Sequence, residues 1–110
     1  MSTAHAHPAA RFVHIVTLDC KDPEHALRCI QMLTQVGLPD AKMFQCVSYE
    51  YGLEVGSTER IVLIERWQRW EDLDALIEQC IAPDLDKYNS LLKQPFDVIR
   101  DTRRVELGRM

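Results

Sequence analysis

The feature that most restricts the fold is a short segment, residues 59–67 (ERIVLIERW), with an apolar centre. Side chains of a β-strand alternate between two faces, so the run from Ile61 to Ile64 puts apolar groups on both sides of a sheet. A strand of this kind lies inside a sheet that is covered above and below. The chain has 110 residues, enough for one domain, so little else is available to cover that sheet.

The first helix is predicted by a local start signal. Asp22 can cap a free backbone N–H, and Pro23 suits the first helical position because its φ is preset. Apolar residues at helical spacing follow. We expect Gly37 to end this helix in the left-handed conformation and Pro39 to prevent its continuation.

The remaining segments predict three more strands and a second helix. That helix carries apolar residues at helical spacing and is interrupted at Pro83. The predicted strands are residues 11–18, residues 41–51 with a hairpin loop at 52–58, and residues 96–107. The order β-α-β-β-α-β is typical of a ferredoxin-like α+β domain, with an antiparallel four-stranded sheet and two helices on one face. The other face stays apolar, so we predict a homodimer that packs sheet against sheet.

The composition limits which binding partners and which cellular compartment are expected. The net charge is −4 and Lys and Arg form no dense patch, so nucleic acid is not an expected partner. No apolar run approaches the roughly 20 residues of a membrane-spanning helix. Four cysteines without a CxxC pair, and no signal-peptide pattern, predict reduced thiols in a cytoplasmic protein. We expect a flexible tail at 1–10 and one domain at 11–110.

The second half of the chain resembles the antibiotic biosynthesis monooxygenase family. The residues that carry the likeness are the apolar strand ending Glu65-Arg66-Trp67, then Trp70, the helical Leu73-Asp74-Ala75-Leu76, and Asp86-Lys87-Tyr88. The small quinol monooxygenases are the most similar members. The resemblance implies a dimeric α/β barrel that oxidises a small electron-rich aromatic or quinol-type substrate with O2, using neither metal nor flavin. It therefore implies no cofactor.

One position departs from the family pattern. The helical His of the family corresponds to Leu76 here, and no His occurs after His25. Haem-degrading relatives also need a His in this region, so haem degradation is not expected. Two readings of function stay open: a cofactor-independent monooxygenase, or a ligand-binding or oligomerising barrel that has lost the chemistry. In either reading Leu76 is expected to contact the ligand.

Glu65 and Trp67 are candidates for the site because they share one face of the third strand. Cofactor-free oxygenation needs an apolar pocket, a base and hydrogen-bond donors. A carboxylate beside apolar neighbours can act as the base, and an indole offers a stacking surface and an N–H donor. The alternative is that Glu65 pairs with Arg100 or Arg103 across the sheet while Trp67 fills the core.

His14 and Tyr88 complete the candidate set. His14 lies mid-strand and can serve as the base that Leu76 cannot, or it is a core or interface histidine bonded to a backbone carbonyl. The Tyr88 hydroxyl reaches either a substrate or a backbone group. Which face of the sheet lines the pocket stays open, because residues 59–67 are apolar both ways.

Several other residues are given structural roles. Tyr49 and Tyr51 are expected to pack cross-strand or at the dimer seam. Cysteines at apolar positions are expected to be unreactive, with Cys46 in a strand. His5 and His7 are too few to define a metal site, so no metal is expected. His25 is expected in the first helical turn, facing solvent.

Overall fold

The computed structural model describes residues 10–108 and contains one four-stranded antiparallel sheet, in the order β2-β3-β1-β4. The strands are β1 (Phe12–Asp19), β2 (Ser48–Leu53), β3 (Arg60–Trp67) and β4 (Thr102–Glu106). The helices are α1 (Pro23–Met32), α2 (Leu38–Met43), α3 (Trp70–Leu76), α4 (Leu85–Asn89) and the short α5 (Val98–Asp101). The ferredoxin-like α+β prediction is confirmed. Residues 1–9 of the predicted tail lie outside the described residues, and Ala10 is buried.

The two central strands divide the sheet into a helix-facing side and an open side. On the helix-facing side β1 presents alternate residues from Phe12 to Leu18, and β3 presents Ile61, Leu63, Glu65 and Trp67. Most of these side chains are buried, and they pack in two neighbouring apolar clusters under the helices. The helix-facing side therefore holds the core of the domain.

The first helix begins as predicted and ends later than predicted. The Asp22 carboxylate accepts the backbone N–H of His25 at 2.8 Å. Gly37 has an ordinary helical φ of −61°, and the helical path passes through a π-helical turn (Leu33–Gly37) into α2. The wider turn gives room to the ring of Pro39, which in a regular helix would clash with the preceding turn. The chain instead takes a left-handed conformation at Gln45 (φ 72°), beyond the end of α2.

Two predicted strand boundaries are wrong for related reasons. Strand β2 begins at Ser48 rather than at residue 41, because residues 41–43 complete α2 and Ala41 is buried beside Trp67. The segment at 96–101 is not strand. Asp97 accepts the backbone N–H groups of Ile99 and Arg100, so its side chain starts α5, and β4 follows only from Thr102.

The second helical region agrees with the prediction. Helix α3 continues through a π-helical turn (Ile77–Ile81) and a 3-10 turn (Ala82–Asp84) into α4. Pro83 lies in the 3-10 turn, where it restarts the helix. None of the helices in residues 10–108 has both the length and the apolar character needed to cross a membrane. The helix layer covers one side of the sheet only.

Candidate active site

A cavity of about 120 Å³ lies between the helix-facing side of the sheet and the helices. Apolar side chains from both layers form most of its wall, among them Leu33, Leu63, Leu73, Leu76 and Ile77. An engineered apolar cavity of about 150 Å³ binds benzene, so this space suits roughly one aromatic ring. The helix-facing side is therefore the face that lines the pocket, which the sequence left open.

Four polar side chains form a row across the sheet in the wall of this cavity. In the register of the strands, Tyr49 pairs with Glu65, Glu65 pairs with His14, and His14 pairs with Arg104. Each strand contributes one member, and all four residues line the cavity. Because neighbouring strands lie about 4.8 Å apart, the row brings a phenol, a carboxylate, an imidazole and a guanidinium to one level of the pocket.

His14 and Glu65 form the centre of the row, and they are the only histidine and the only carboxylate among the buried residues of 10–108. Nδ1 of His14 lies 2.8 Å from Oε1 of Glu65, and the indole Nε1 of Trp67 donates to the same oxygen at 3.2 Å. A carboxylate can only accept, so Nδ1 carries the proton in the neutral imidazole and Nε2 holds the lone pair. Nε2 is thus the basic nitrogen of the His14 ring, and His14 lines the cavity.

Two tyrosine hydroxyls also belong to the cavity wall. Burial raises the pKa of Tyr88 to about 12, and burial raises the pKa of Tyr49 well above its usual range. Both phenols are therefore protonated at neutral pH and can donate a hydrogen bond to a ligand oxygen. Tyr88 was a predicted site residue. Tyr49 was assigned to packing, yet it faces the helices, with its ring centroid 5.6 Å from that of Tyr51.

Arg104 lies where the cavity opens to solvent. Its Nη2 donates to Oδ1 of Asp74 at 2.7 Å, and its guanidinium lies 5.0 Å from the ring centroid of Trp70. The side chain is 39% exposed, so the guanidinium is held at the surface end of the row rather than inside the core. A positive charge and hydrogen-bond donors at this opening favour an acidic or oxygen-rich ligand group.

The structure brings His14, Glu65, Leu76 and Tyr88 together around one cavity. Trp67 differs: it is fully buried and contacts Glu65 from behind, and it is not among the cavity-lining residues found in the described part of the chain. Its indole therefore orients the carboxylate and does not offer a stacking surface to a ligand.

The register and the hydrogen bonds identify the partners of Glu65 and His14. Glu65 does not pair with Arg100, which lies in α5 and bonds Asp101, or with Arg103, which points to the open side. The arginine of β4 that lies on the helix-facing side, as Glu65 does, is Arg104. His14 bonds a carboxylate and not the backbone carbonyl that the structural alternative required.

The minor candidates stay away from the cavity. His25 bonds its own cap residue, Asp22, at 2.7 Å. Cys46 precedes β2 instead of lying in a strand, and burial raises the pKa of its thiol to about 12, in line with the expected low reactivity. His5 and His7 lie outside the described residues. Within residues 10–108 no group of three or more potential ligands is arranged to hold a metal ion.

Sequence reasoning missed Tyr49 and Arg104. Both follow a signal that the sequence does contain, the alternation of side chains along a strand, but their alignment with His14 depends on the register of two strand pairs. The sequence alone predicts no pairing register for β2 or β4, so this alignment could not be found before the sheet was known.

The fold is that of the antibiotic biosynthesis monooxygenases, as similarity to several solved structures shows. The chain is similar to the ActVA-Orf6 monooxygenase of Streptomyces coelicolor in complex with nanaomycin D, with 14% identity, 94% of this chain and 91% of that chain covered, and a TM-score of 0.68. It is also similar to an antibiotic biosynthesis monooxygenase at 18% identity, with 90% of this chain and 98% of that chain covered and a TM-score of 0.65.

A conserved protein of Methanosarcina mazei has the same fold, with 14% identity, 91% and 96% covered and a TM-score of 0.73. No protein-family model matches the sequence, and no curated protein does so either. The resemblance seen in the sequence is thus confirmed for the fold. Because the identities are low, the activity has to be argued from the cavity itself.

Proposed function

We propose that the protein is a cofactor-independent monooxygenase that acts with O2 on a small electron-rich aromatic or quinol-type substrate. The observation that carries this proposal is the buried His14–Glu65 pair in the wall of an apolar cavity of one-ring size. A phenol reacts slowly with O2 until it is deprotonated, and a base in a dry pocket supplies the phenolate. The bound ligand of the ActVA-Orf6 monooxygenase, nanaomycin D, adds support for a small-molecule substrate.

The reaction assigns a task to each member of the site. Nε2 of His14 takes the phenol proton, and Glu65 stabilises the imidazolium that forms. The phenolate then transfers electrons to O2. On a phenol with a free para carbon, one oxygen atom replaces the para hydrogen as a carbonyl oxygen and the other leaves as water. On a quinol, one oxygen atom enters at a ring carbon that still carries a hydrogen, which gives a hydroxyquinone and water. In both cases the substrate supplies all the electrons that reduce O2. The Tyr49 and Tyr88 hydroxyls donate to the oxygen atoms that become negative.

Leu76 supports a second candidate function. It is 2% exposed and lines the cavity at the position where the family pattern has a His. A barrel that binds an aromatic ligand without oxidising it would retain the cavity and need no base. The two functions differ in oxygen consumption but not in ligand binding, so the same experiment separates them.

Oxygen uptake with menadiol-type and polyphenolic substrates tests the proposal. We compare the wild type with His14→Gln, which keeps an N–H donor for Glu65 and removes the base, and with Glu65→Gln. A general base contributes about 100- to 10,000-fold, so His14→Gln is expected to lose that much of kcat. His25→Gln, a histidine outside the cavity, is the matched control. If the wild type consumes no more O2 than the uncatalysed reaction, the binding-only function replaces the proposal.

We also propose that two copies pack through the open side of the sheet. Four partly or largely exposed apolar residues lie there: Ile15, Val62, Ile64 and Val105. Ile64 is 37% exposed at the centre of the sheet, and the helices cover only the opposite side. A second copy related by a two-fold axis would cover this surface with an identical one.

Sedimentation at low micromolar concentration tests the dimer. The wild type is expected to sediment as a dimer, and Ile64→Glu is expected to yield monomer because a charge at the centre of an apolar interface is costly to desolvate. Val55→Glu is the control, since Val55 is fully exposed in the β2–β3 loop. A folded wild-type monomer would contradict the proposal.

A further inference from the structure

The guanidinium of Arg104 is the feature of the cavity that the proposed function does not yet use. Among the described residues that line the cavity, Arg104 is the only arginine or lysine. It is the direct cross-strand neighbour of His14, so its side chain and Nε2 of His14 belong to the same level of the pocket. Arg104 therefore brings a cation to the part of the cavity wall that His14 also lines.

We propose that Arg104 is a specificity residue that selects aromatic substrates with an acidic group next to the ionisable hydroxyl, such as an ortho-hydroxy acid. This inference rests on the proposed function for the role of His14. The hydroxyl of such a ligand donates to Nε2, and the adjacent carboxylate or carbonyl accepts from the guanidinium. Arginine suits this task because its N–H groups form a planar fork that matches a carboxylate.

The surroundings of Arg104 hold it in position without consuming its capacity to bind. In the described residues Asp74 is the hydrogen-bond partner of its side chain, and it engages Nη2 alone. An arginine has five N–H donors, so several are available to a ligand. The Trp70 ring, 5.0 Å from the guanidinium, limits where the side chain can swing, and Phe12 packs against that ring at 5.3 Å between centroids.

The Asp74 contact is a weak competitor for the ligand. Both partners are exposed, Arg104 by 39% and Asp74 by 57%, and exposed ion pairs contribute little because water screens them. A ligand carboxylate at the opening has the apolar cavity wall on one side, so water screens it less than it screens Asp74 and the guanidinium interacts with it more strongly. We therefore expect Arg104 to exchange Asp74 for the acidic group of a bound substrate, or to bind both.

Calorimetric titration with three probes tests the inference: salicylate, phenol and benzoate. Salicylate carries both groups, whereas phenol and benzoate carry one each. The wild type is expected to bind salicylate at least tenfold more tightly than phenol. Arg104→Gln is expected to weaken salicylate binding about tenfold, or about 1.4 kcal/mol, and to change phenol binding less than twofold. The salicylate affinity of Arg104→Lys is expected to lie between those of the wild type and Arg104→Gln, because lysine keeps the positive charge but lacks the planar fork of N–H groups.

Two further variants sharpen the test. Asp74→Asn removes the competing carboxylate and is expected to tighten salicylate binding. Arg28→Gln makes the same change of charge on the exposed surface of α1 and is expected to leave all three affinities unaltered. The inference is overturned if the wild type binds salicylate no more tightly than phenol, or if Arg104→Gln weakens both probes equally.

The result is independent of the oxygenation assay. If salicylate binds through Arg104 and no substrate consumes O2, the monooxygenase proposal fails and the specificity role stands. If O2 is consumed and Arg104→Gln leaves the KM values for acidic and neutral phenols in the same ratio, the specificity role fails and the monooxygenase proposal stands.

Discussion

Gly37→Ala is a sensitive test of how closely the first helical region packs on the cavity wall. Gly37 has regular helical dihedrals, so alanine would be favoured there by about 1 kcal/mol on helix propensity alone. A Cβ at this position, however, would lie 2.5 Å from the Tyr49 hydroxyl oxygen. The Tyr49 ring cannot move away easily, since it packs against Tyr51 and has only two side-chain torsions.

The net effect on stability follows from comparing the gain in helix propensity with the cost of the steric contact. Overpacking in a filled interior costs about 1–3 kcal/mol, which exceeds the gain in helix propensity. We therefore expect Gly37→Ala to lower the free energy of unfolding by up to about 2 kcal/mol. In a Tyr49→Phe background the nearest atoms to the new Cβ are Leu33 Cδ2 and the ring Cζ of residue 49, both at 3.5 Å, an ordinary contact. The same substitution should then stabilise by about 1 kcal/mol.

Denaturant unfolding of the wild type, both single variants and the double variant measures this coupling in one cycle. The expected sign change between the two backgrounds is more telling than either value alone. If Gly37→Ala stabilises the protein while Tyr49 is present, the Tyr49 hydroxyl does not lie in close contact with Gly37 and the overpacking argument is refuted.

Two further predictions concern Tyr88 in the cavity wall and Trp67, which supports Glu65. Burial raises the pKa of Tyr88 from 10.0 to about 12. The contribution of Tyr88 to the free energy of unfolding is therefore fully present below pH 10.0 and is lost as the pH rises to about 12. Tyr88→Phe should flatten the pH dependence of unfolding between these two values. Trp67→Phe removes the indole donor to Glu65 and should cost about 1–3 kcal/mol by denaturant unfolding; a cost near zero would mean that the 3.2 Å contact does not support the carboxylate.

Local signals in the sequence were enough for much of the fold. The cap at Asp22, the alternation in β1 and β3, and the restart at Pro83 each depend on a few neighbouring residues, and the structure has all of them. Gly37 shows where such signals fail. A glycine at this position lets Tyr49 of β2 approach the helix closely. No local sequence pattern distinguishes a glycine required for such an approach from one that ends a helix.

The candidate site was predictable in its parts and not in its arrangement. Alternation alone placed Glu65 and Trp67 on one face of β3, and His14 on one face of β1. Their contact needs the β1–β3 register, which is set by the packing of the whole sheet. Arg104 could not be predicted because its position beside His14 depends on the β1–β4 register, which the sequence does not give.

In the sequence resemblance Leu76 corresponds to a His of the monooxygenase pattern, so we ask whether a base at either position could serve the proposed reaction. Leu76 reaches the cavity from α3 and His14 reaches it from β1, so the two positions face the same space from opposite layers. A base is useful wherever its free nitrogen meets the substrate oxygen. His14 has the further advantage of a carboxylate partner, which fixes its tautomer, whereas the wall around Leu76 is apolar.

This reasoning predicts a partial rescue. Leu76→His in the His14→Gln background should recover oxygen uptake about tenfold over His14→Gln alone, and should stay below the wild type because the new imidazole has no carboxylate behind it. Leu76→Asn in the same background is the control, since it adds a polar group of similar size that cannot act as a base. If Leu76→His recovers no more oxygen uptake than Leu76→Asn in this background, a base is effective only at position 14 of β1, where Glu65 holds the imidazole.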